Sequence, residues 1–410
     1  MDKKEQGTGK RSSGEQKEQK RNAYRFIILL GIVSLFADMT YEGAHSITGP
    51  YLSLLGASAT VVGVVSGLGE LVGYGIRLLS GYFADRTRRY WLITFFGYGL
   101  NLLAVPLLAL AGHWEMAALL IILERLGKAI RTPPRDAMLS HAARGVGRGW
   151  GFALHEAMDQ IGALTGPLLI SLVLYLQGGY RQGFALLLAP ALIALTVLFL
   201  ARMQYPDPAV LELPSEDEKE AGRGQKFPPA FWLYIVFTVL SIAGYAHFQL
   251  ISYHLKAQAV VPDVQIPVFF ALAMGVDALF ALLIGRVFDK IGLLSLAAVP
   301  LLTLPIPFLV FGRGFFQVLA GMVLWGAVMG MQETIMRAAI AEMVPSERRG
   351  FAYGIFNTAY GGSWFLGSVI MGAFYDISIQ YIILFSVILE VLSIPLLILA
   401  TRKYFPRTGT

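Results

Sequence analysis

Residues 81–86 read Gly81-Tyr82-Phe83-Ala84-Asp85-Arg86, and 204 positions later residues 285–290 read Gly285-Arg286-Val287-Phe288-Asp289-Lys290. Each follows a long apolar run, so one polar turn closes both the second and the eighth apolar segment of the chain. A smaller echo, Arg148-Gly149 against Arg349-Gly350, is displaced by 201 positions. A repeat of this length that keeps step with the hydropathy pattern points to a duplicated membrane protein.

Outward from the repeat, Gly, Pro and charge breaks divide the chain into 12 helix candidates at 24–54, 60–84, 90–112, 115–142, 148–178 and 182–202, then 229–257, 263–288, 292–312, 314–342, 350–375 and 378–402. Most reach the roughly 18 to 20 residues a helix needs to cross hydrocarbon. The composition agrees: of 410 residues 56% are hydrophobic and only 15% charged, and the mean hydropathy is +0.60. That excludes most water-soluble readings, so the net charge of +6 is no nucleic-acid signal. With no cysteine there is no disulfide framework, thiol nucleophile or Cys-ligated metal. Residues 1–22 are polar throughout and read as a disordered cytoplasmic tail. Residues 203–228, with Pro206, Pro208, Pro214 and the acidic run Glu216, Asp217, Glu218, read as a cytoplasmic linker between six-helix bundles at 23–202 and 229–403, with a second tail at 404–410. Of the 33 Lys and Arg residues, 23 fall in the tails, linker and loops of one side, seven inside spans, and three (Arg181, Lys256, Arg313) on the other side. That asymmetry places both termini in the cytoplasm.

On these residues the chain resembles the major facilitator superfamily over nearly all of its apolar length. Gly81-x-x-x-Asp85-Arg86-x-x-Arg89 looks like the signature between helices 2 and 3, whose carboxylate and basic partners hold the cytoplasmic side closed; Arg88 stands where the family usually has Gly, and the second copy keeps it as Gly292. Arg125-Leu-Gly127-Lys128-Ala129 is similar to a fourth-helix motif, and Gly162-x-x-x-Gly166-Pro167 to a fifth-helix motif associated with antiporters. Gly127 to Asp136 also resembles a bacterial subgroup. The resemblance implies an all-α transporter in the inner membrane of a bacterium, acting as a monomer on a small solute with protons as partner, without cofactor or nucleic acid.

Charge inside a bilayer costs several kcal/mol unless it is paired or meets water, so each ionisable residue within a span is a functional candidate. Asp38, Tyr41, Glu42 and His45 form one stripe on the first span at helical spacing. Glu70, Tyr74 and Arg77 share a face of the second, too far apart for direct pairing, which calls for partners on other helices. The fourth carries Glu124, Arg125, Lys128, Arg131, Arg135 and Asp136; at 1.5 Å per residue from Glu115, Arg125 lies about 15 Å in, near the midplane. Pro133-Pro134 is expected to kink or end that helix. The fifth carries His155, Glu156 and Asp159, with Asp159 at the depth of Arg125, so an Arg125–Asp159 pair is the expected proton carrier. The stripe, Glu70, Arg77, Glu124, Lys128, Arg131 and Glu156 complete the coupling cavity; each has the alternative of a plain structural pair. Arg135 and Asp136 join Gly81, Asp85, Arg86, Arg89, Gly285 and Asp289 as the cytoplasmic gate.

In the C-terminal half the cavity candidates are His247, Asp277, Gln332, Glu333, Arg337, Asn357 and Trp364, with Trp325, Tyr360 and Phe365 as aromatic surface; Arg286 and Glu390 are further buried charges. His247 and His254 lie seven apart without a third ligand, so no metal site is assigned. No Walker loop, nucleophile elbow or zinc-protease helix occurs. The expected function is secondary transport by alternating access, as proton-coupled efflux of a drug or metabolite. Import by symport or facilitation is the alternative, and a membrane enzyme acting on a lipid is a distant one.

Overall fold

In the computed structural model, residues 13–207, 227–344 and 348–404 are described; Pro208, Pro214 and the acidic run at 216–218, expected to belong to the linker, fall outside them. The described residues form fifteen α-helices and short 3-10 turns, without a strand. The helices are α1 Ser13–Leu54, α2 Ala59–Thr87, α3 Tyr90–Leu107, α4 Trp114–Val146, α5 Arg148–Tyr175, α6 Tyr180–Leu186, α7 Leu188–Gln204, α8 Pro229–Gly244, α9 Phe248–Ala257, α10 Gln265–Ile291, α11 Ala298–Thr303, α12 Ile306–Val310, α13 Phe315–Met343, α14 Arg349–Ile377 and α15 Ile379–Tyr404. Among the described residues nine stretches are long and apolar enough to cross a membrane, with Gln265–Val310 counted as one. The charged α4 is not among them, because the residues that fill the cavity spoil its hydropathy.

Several boundaries differ from expectation. Residues 13–22, expected to be a disordered tail, begin α1; their Glu, Lys, Gln and Arg are good helix formers that extend a helix already held by its apolar part. Pro133 and Pro134 lie inside α4, which continues to Val146. The expected span at 292–312 is a chain of short pieces at Gly292–Ala297, α11 and α12, interrupted at Pro305. The span at 229–257 is broken between α8 and α9, where Tyr245 and His247 are extended. The carbonyls freed by that break find donors: Ser386 Oγ donates to Gly244 O at 2.6 Å and Trp325 Nε1 to Ala246 O at 2.9 Å. In an apolar slab a broken helix persists only where such partners exist.

The apolar core of α1–α7 falls into two layers. One gathers Phe26, Leu30, Trp91, Tyr98, Leu139 and Leu198; the other Ile47, Tyr51, Val105, Ile121, Ile170 and Phe184. Between them on the same helices lie Asp38, Asn101, Glu124 and Arg131, all buried. The C-terminal helices share one continuous apolar core. The two sets meet through α1 on α9, α5 on α10 and most of the length of α2 on α14, most tightly at the end where α2 begins and α14 finishes. At that end a side chain on Gly63 would strike the Ser368 carbonyl, and one on Gly372 the backbone of Ala59 and Thr60. Asp376 accepts from Ala59 N at 3.0 Å, Thr60 N at 2.9 Å and Thr60 Oγ1 at 2.6 Å, so a C-terminal carboxylate caps the N-terminus of α2. Ser171 Oγ donates to Val264 O at 2.8 Å beside it. Towards the other end α4 and α5 stand apart from α10 and α13.

Candidate functional site

The space left between the two sets is a cavity of about 670 Å³, sealed at the Asp376 end. It is lined by Asp38, Tyr41, Glu42, His45, Glu70, Arg77, Arg125, Lys128, Arg131, Glu156 and Asp159 on one wall and by His247, Asp277, Glu333, Arg337 and Trp364 on the other. Its mouth is lined by Arg135, Asp136, Leu139 and Phe152.

The N-terminal wall is an ion network. Arg125 on α4 meets Glu70 of α2 at 2.9 Å and its own neighbour Glu124 at 3.6 Å. Asn101 Nδ2 donates to Glu124 Oε1 at 2.8 Å, which anchors that carboxylate behind the cavity surface. The Arg125 guanidinium also lies 2.5 and 3.1 Å from the ring nitrogens of His45, and because it can only donate, the ring nitrogen it bonds must accept. His45 reaches Glu42 at 3.5 Å, and Glu42 reaches Lys128 at 3.9 Å. Glu70 extends the network across the cavity to His247 at 3.7 Å, on the broken segment between α8 and α9. Removing one member of a buried pair typically costs about 3–5 kcal/mol, because the other is left charged and unpaired.

A second group lies nearer the mouth. Arg131 is 4.0 Å from Asp38 and stacks 4.3 Å from the Tyr98 ring. Lys128 Nζ sits 3.8 Å above Tyr41, so that ring faces two cations. Asp159 is 3.5 Å from His155, and its basic neighbours are Arg135 and Arg131. Arg135 bonds Asp136 at 2.7 Å and Ser34 at 3.0 Å. The expected Arg125–Asp159 pair is therefore not formed. A shared depth fixes level, whereas the rotation of α4 turns Arg125 towards α2.

Other candidates fall elsewhere. Glu124 lies behind Arg125 rather than on the cavity surface. Gln332 is buried and lines a separate small void with Tyr74, Glu333, Arg337, Phe356 and Tyr360. Asn357 is not in the cavity lining, because α14 there lies against α2, with Gly354 facing Leu78 and Gly361 facing Tyr74. Glu390 is fully buried between α8 and α15, and its hydrogen bond is from Ser241 at 3.2 Å. His254 points away from His247, to the Tyr375 hydroxyl at 2.9 Å, and no three His, Cys, Asp or Glu residues gather as a metal set among the described residues. The paired turns at Gly81–Arg89 and Gly285–Lys290 are remote from the cavity. Asp85, Arg86, Arg89 and Asp289 are exposed; Asp85 accepts from Tyr90 of its own half at 3.3 Å, and Asp289 has no ion pair among the described residues. Gly162 and Gly166 lie against the backbone of α1 at Leu35 and Met39, so the antiporter-like motif is here the contact by which α5 packs on α1.

Sequence reasoning missed Gln249, Phe270, Met274 and Met329 on the C-terminal wall. Phe270, Met274 and Asp277 follow helical spacing, as do Trp325, Met329 and Glu333, so extending each face from its carboxylate would have found four of the lining residues.

The profile of the Major Facilitator Superfamily matches residues 28–311 and 263–409. An uncharacterised protein of Mycobacterium tuberculosis is 41% identical over 381 residues, covering 91% of this chain and 92% of its own. An uncharacterised MFS-type transporter of Methanocaldococcus jannaschii is 28% identical over 389 residues, covering 92% and 95%. The multidrug resistance protein MdtH of Cronobacter sakazakii is 33% identical over 125 residues, 30% of this chain and 31% of its own. Among solved structures, the nucleoside transporter NupG superposes with a TM-score of 0.68 at 13% identity over 92% of this chain and 99% of its own, and a POT peptide transporter with alafosfalin with 0.74 at 14% over 93% and 96%. With its helices, its apolar spans and a family match over nearly the whole length, this chain is an integral membrane protein that belongs to the Major Facilitator Superfamily of transporters.

Proposed function

We propose that the protein is a proton-coupled antiporter of the bacterial inner membrane that exports a small drug-like or metabolite solute by alternating access, as a monomer. It crosses the membrane twelve times: Trp114–Val146 and Arg349–Ile377 join the nine apolar stretches, and Gln265–Val310 crosses twice. Both termini lie in the cytoplasm, the halves are six helices each, and the sealed end faces outward, so the cavity opens to the cytoplasm. The observation that carries this reading is a charge-lined cavity closed at one end by contacts between the two sets of helices and open at the other.

Asp38 and Asp159 are the proton carriers. They lie on facing helices, close enough to act on each other, with Arg131 beside the first and both Arg131 and Arg135 beside the second. A proton on either carboxylate and its ion pair to the shared arginines exclude each other, so loss of the proton re-forms the pair. A solute that disturbs those pairs is linked to the proton reciprocally. Glu70, Arg125, His45 and Glu42 form the fixed charge frame behind them. Export rather than import is supported by the Gly162–Pro167 motif and by the stretch similar to a multidrug resistance protein.

The test is an acid-inside gradient in everted vesicles, with lumenal pH followed as cationic drugs, organic anions, sugars and metal chelates are added. Proton release by one class, only with the protein present, is the expected outcome. Uptake driven by co-transported protons would replace export by import.

A further inference from the structure

The pairing of charges inside the cavity differs between its walls. On the N-terminal wall each cation from Arg125 to Arg135 has a carboxylate at hand: Arg125 has Glu70 at 2.9 Å, Lys128 has Glu42 at 3.9 Å, Arg131 has Asp38 at 4.0 Å and Arg135 has Asp136 at 2.7 Å. On the facing wall, Asp277 of α10 and Glu333 of α13 accept no hydrogen bond and have no basic group within 4.0 Å among the described residues. Glu156 of α5 acts electrostatically on both, and its hydrogen bond is from Gln160 at 3.3 Å. Arg337, one turn beyond Glu333, reaches towards Tyr74 and acts on Glu333 only through space, as Lys128 does more weakly from the facing wall.

Asp277 is buried, whereas Glu333 is exposed to the cavity; two other buried groups line the same cavity without a partner among the described residues, the Oε1 of Gln249, 3% exposed, and the indole N–H of Trp364, 4% exposed. Asp277 itself is 4% exposed. Beside these lies an apolar surface in which Phe248 and Phe270 are 4.4 Å apart and Phe248 and Trp325 5.9 Å, continued by Met274 and Met329. Unpaired carboxylates, an unfilled amide oxygen and aromatic faces together suit a desolvated organic cation, through Coulomb attraction and the negative faces of the rings. A carboxylate this buried is costly without a countercharge, and such a ligand supplies one.

We propose that the C-terminal wall is a binding subsite for an organic cation, its charged head held by Asp277 and Glu333 opposite Glu156, its apolar body against Phe270, Trp325 and Met329. This rests on the exchange reading above, whose solute it specifies.

The full chain in lipid nanodiscs, without any gradient, is titrated with tetraphenylphosphonium and with tetraphenylborate, two ions of nearly the same shape and opposite charge, with empty nanodiscs subtracted. The phosphonium is expected to bind at least tenfold more tightly than the borate. Asp277→Asn and Glu333→Gln are each expected to weaken it tenfold or more, while Asp277→Glu, which keeps the charge, retains most of the affinity. Borate binding as tight as phosphonium overturns the subsite. So does parental phosphonium affinity in Asp277→Asn with an unchanged gel-filtration profile; if that variant does not fold, the same result in Glu333→Gln overturns it. Phosphonium binding that needs Asp277 but releases no protons in vesicles overturns the exchange reading and leaves the subsite standing. Proton-coupled movement of another solute without phosphonium binding overturns the subsite alone.

Discussion

The two ends of the cavity use opposite chemistry. At the sealed end backbone meets backbone: Gly63 and Gly372 let α2 and α14 approach to carbonyl contact, and Asp376 caps the first turn of α2 from the other half. Beyond the other end the groups that the repeat singles out, Asp85, Arg86, Arg89 and Asp289, stand exposed, with no partner in the other half among the described residues. One end is held by shape and one cap; on the alternating-access proposal the charges beyond the other find their partners in a closed state. Glycine contacts are short-ranged and lost within an ångström or so, whereas ion pairs act over several, so the sealed end is the one that must come apart abruptly.

The sharpest way to break this contrast is Gly63→Val. A branched side chain there has no room beside the Ser368 carbonyl, and overpacking of this kind costs up to about 3 kcal/mol, equivalent to roughly a hundredfold shift away from the sealed state. The chain has no native cysteine, so Met329→Cys in the cavity wall is a unique reporter. Its labelling by an impermeant maleimide from the sealed side should rise about that much, while Gly99→Val, where nothing lies within 4 Å, leaves it unchanged. Unaltered labelling in Gly63→Val would mean the glycine contact does not hold the seal.

Asp376→Ala tests the cap separately. Losing a helix N-cap costs about 0.5–2 kcal/mol, so labelling of the same reporter should rise about tenfold, and Asp376→Asn, which keeps an acceptor, should rise less. Equal effects would make the charge, rather than the hydrogen bonds, the relevant term. At the other end Asp85→Asn removes an exposed charge that pairs with no base among the described residues. It should leave labelling and expression within experimental error yet slow solute exchange about fivefold, since the lost interaction belongs to the state with the open end shut. Parental exchange in Asp85→Asn would remove the gate assignment.

What the sequence discloses follows the range of the interactions involved. The 204-residue repeat, the apolar segments and the stripe Asp38, Tyr41, Glu42, His45 are local, and they place these residues on one wall of one cavity. The partner of Arg125 is not local: depth counted along α4 and α5 puts Arg125 level with Asp159, but the facing carboxylate is Glu70, chosen by how α4 is rotated against α2. The break after Gly244 is equally hidden, since Tyr245 and Ala246 are unremarkable by propensity and the donors that make it tolerable, Trp325 and Ser386, come 79 and 142 residues later. Asp376 as a cap shows the same limit, lying 316 positions after Thr60.

The smallest effect concerns the two copies of the turn. Arg88 ends α2 at φ 54° and ψ 17°, and Gly292, the residue 204 places on, ends α10 at φ 56°; each donates its backbone N–H to the carbonyl four residues back, Ala84 and Phe288. The copies thus share a positive φ but not a conformation, since ψ is 17° at Arg88 and −138° at Gly292; glycine adopts either freely, whereas the left-handed cap strains arginine. Relief of that strain is worth about 1–2 kcal/mol, but glycine also gives the unfolded chain more freedom, which offsets about 0.4–1 kcal/mol. Arg88→Gly should therefore stabilise the folded protein by only about 0.5 kcal/mol, read as a small upward shift of the thermal midpoint in detergent. Arg88→Ala, which keeps the strain and drops the charge, should give no such gain. If alanine stabilised as much as glycine, the gain would come from removing a positive charge at that turn, and backbone strain at Arg88 would not be its source.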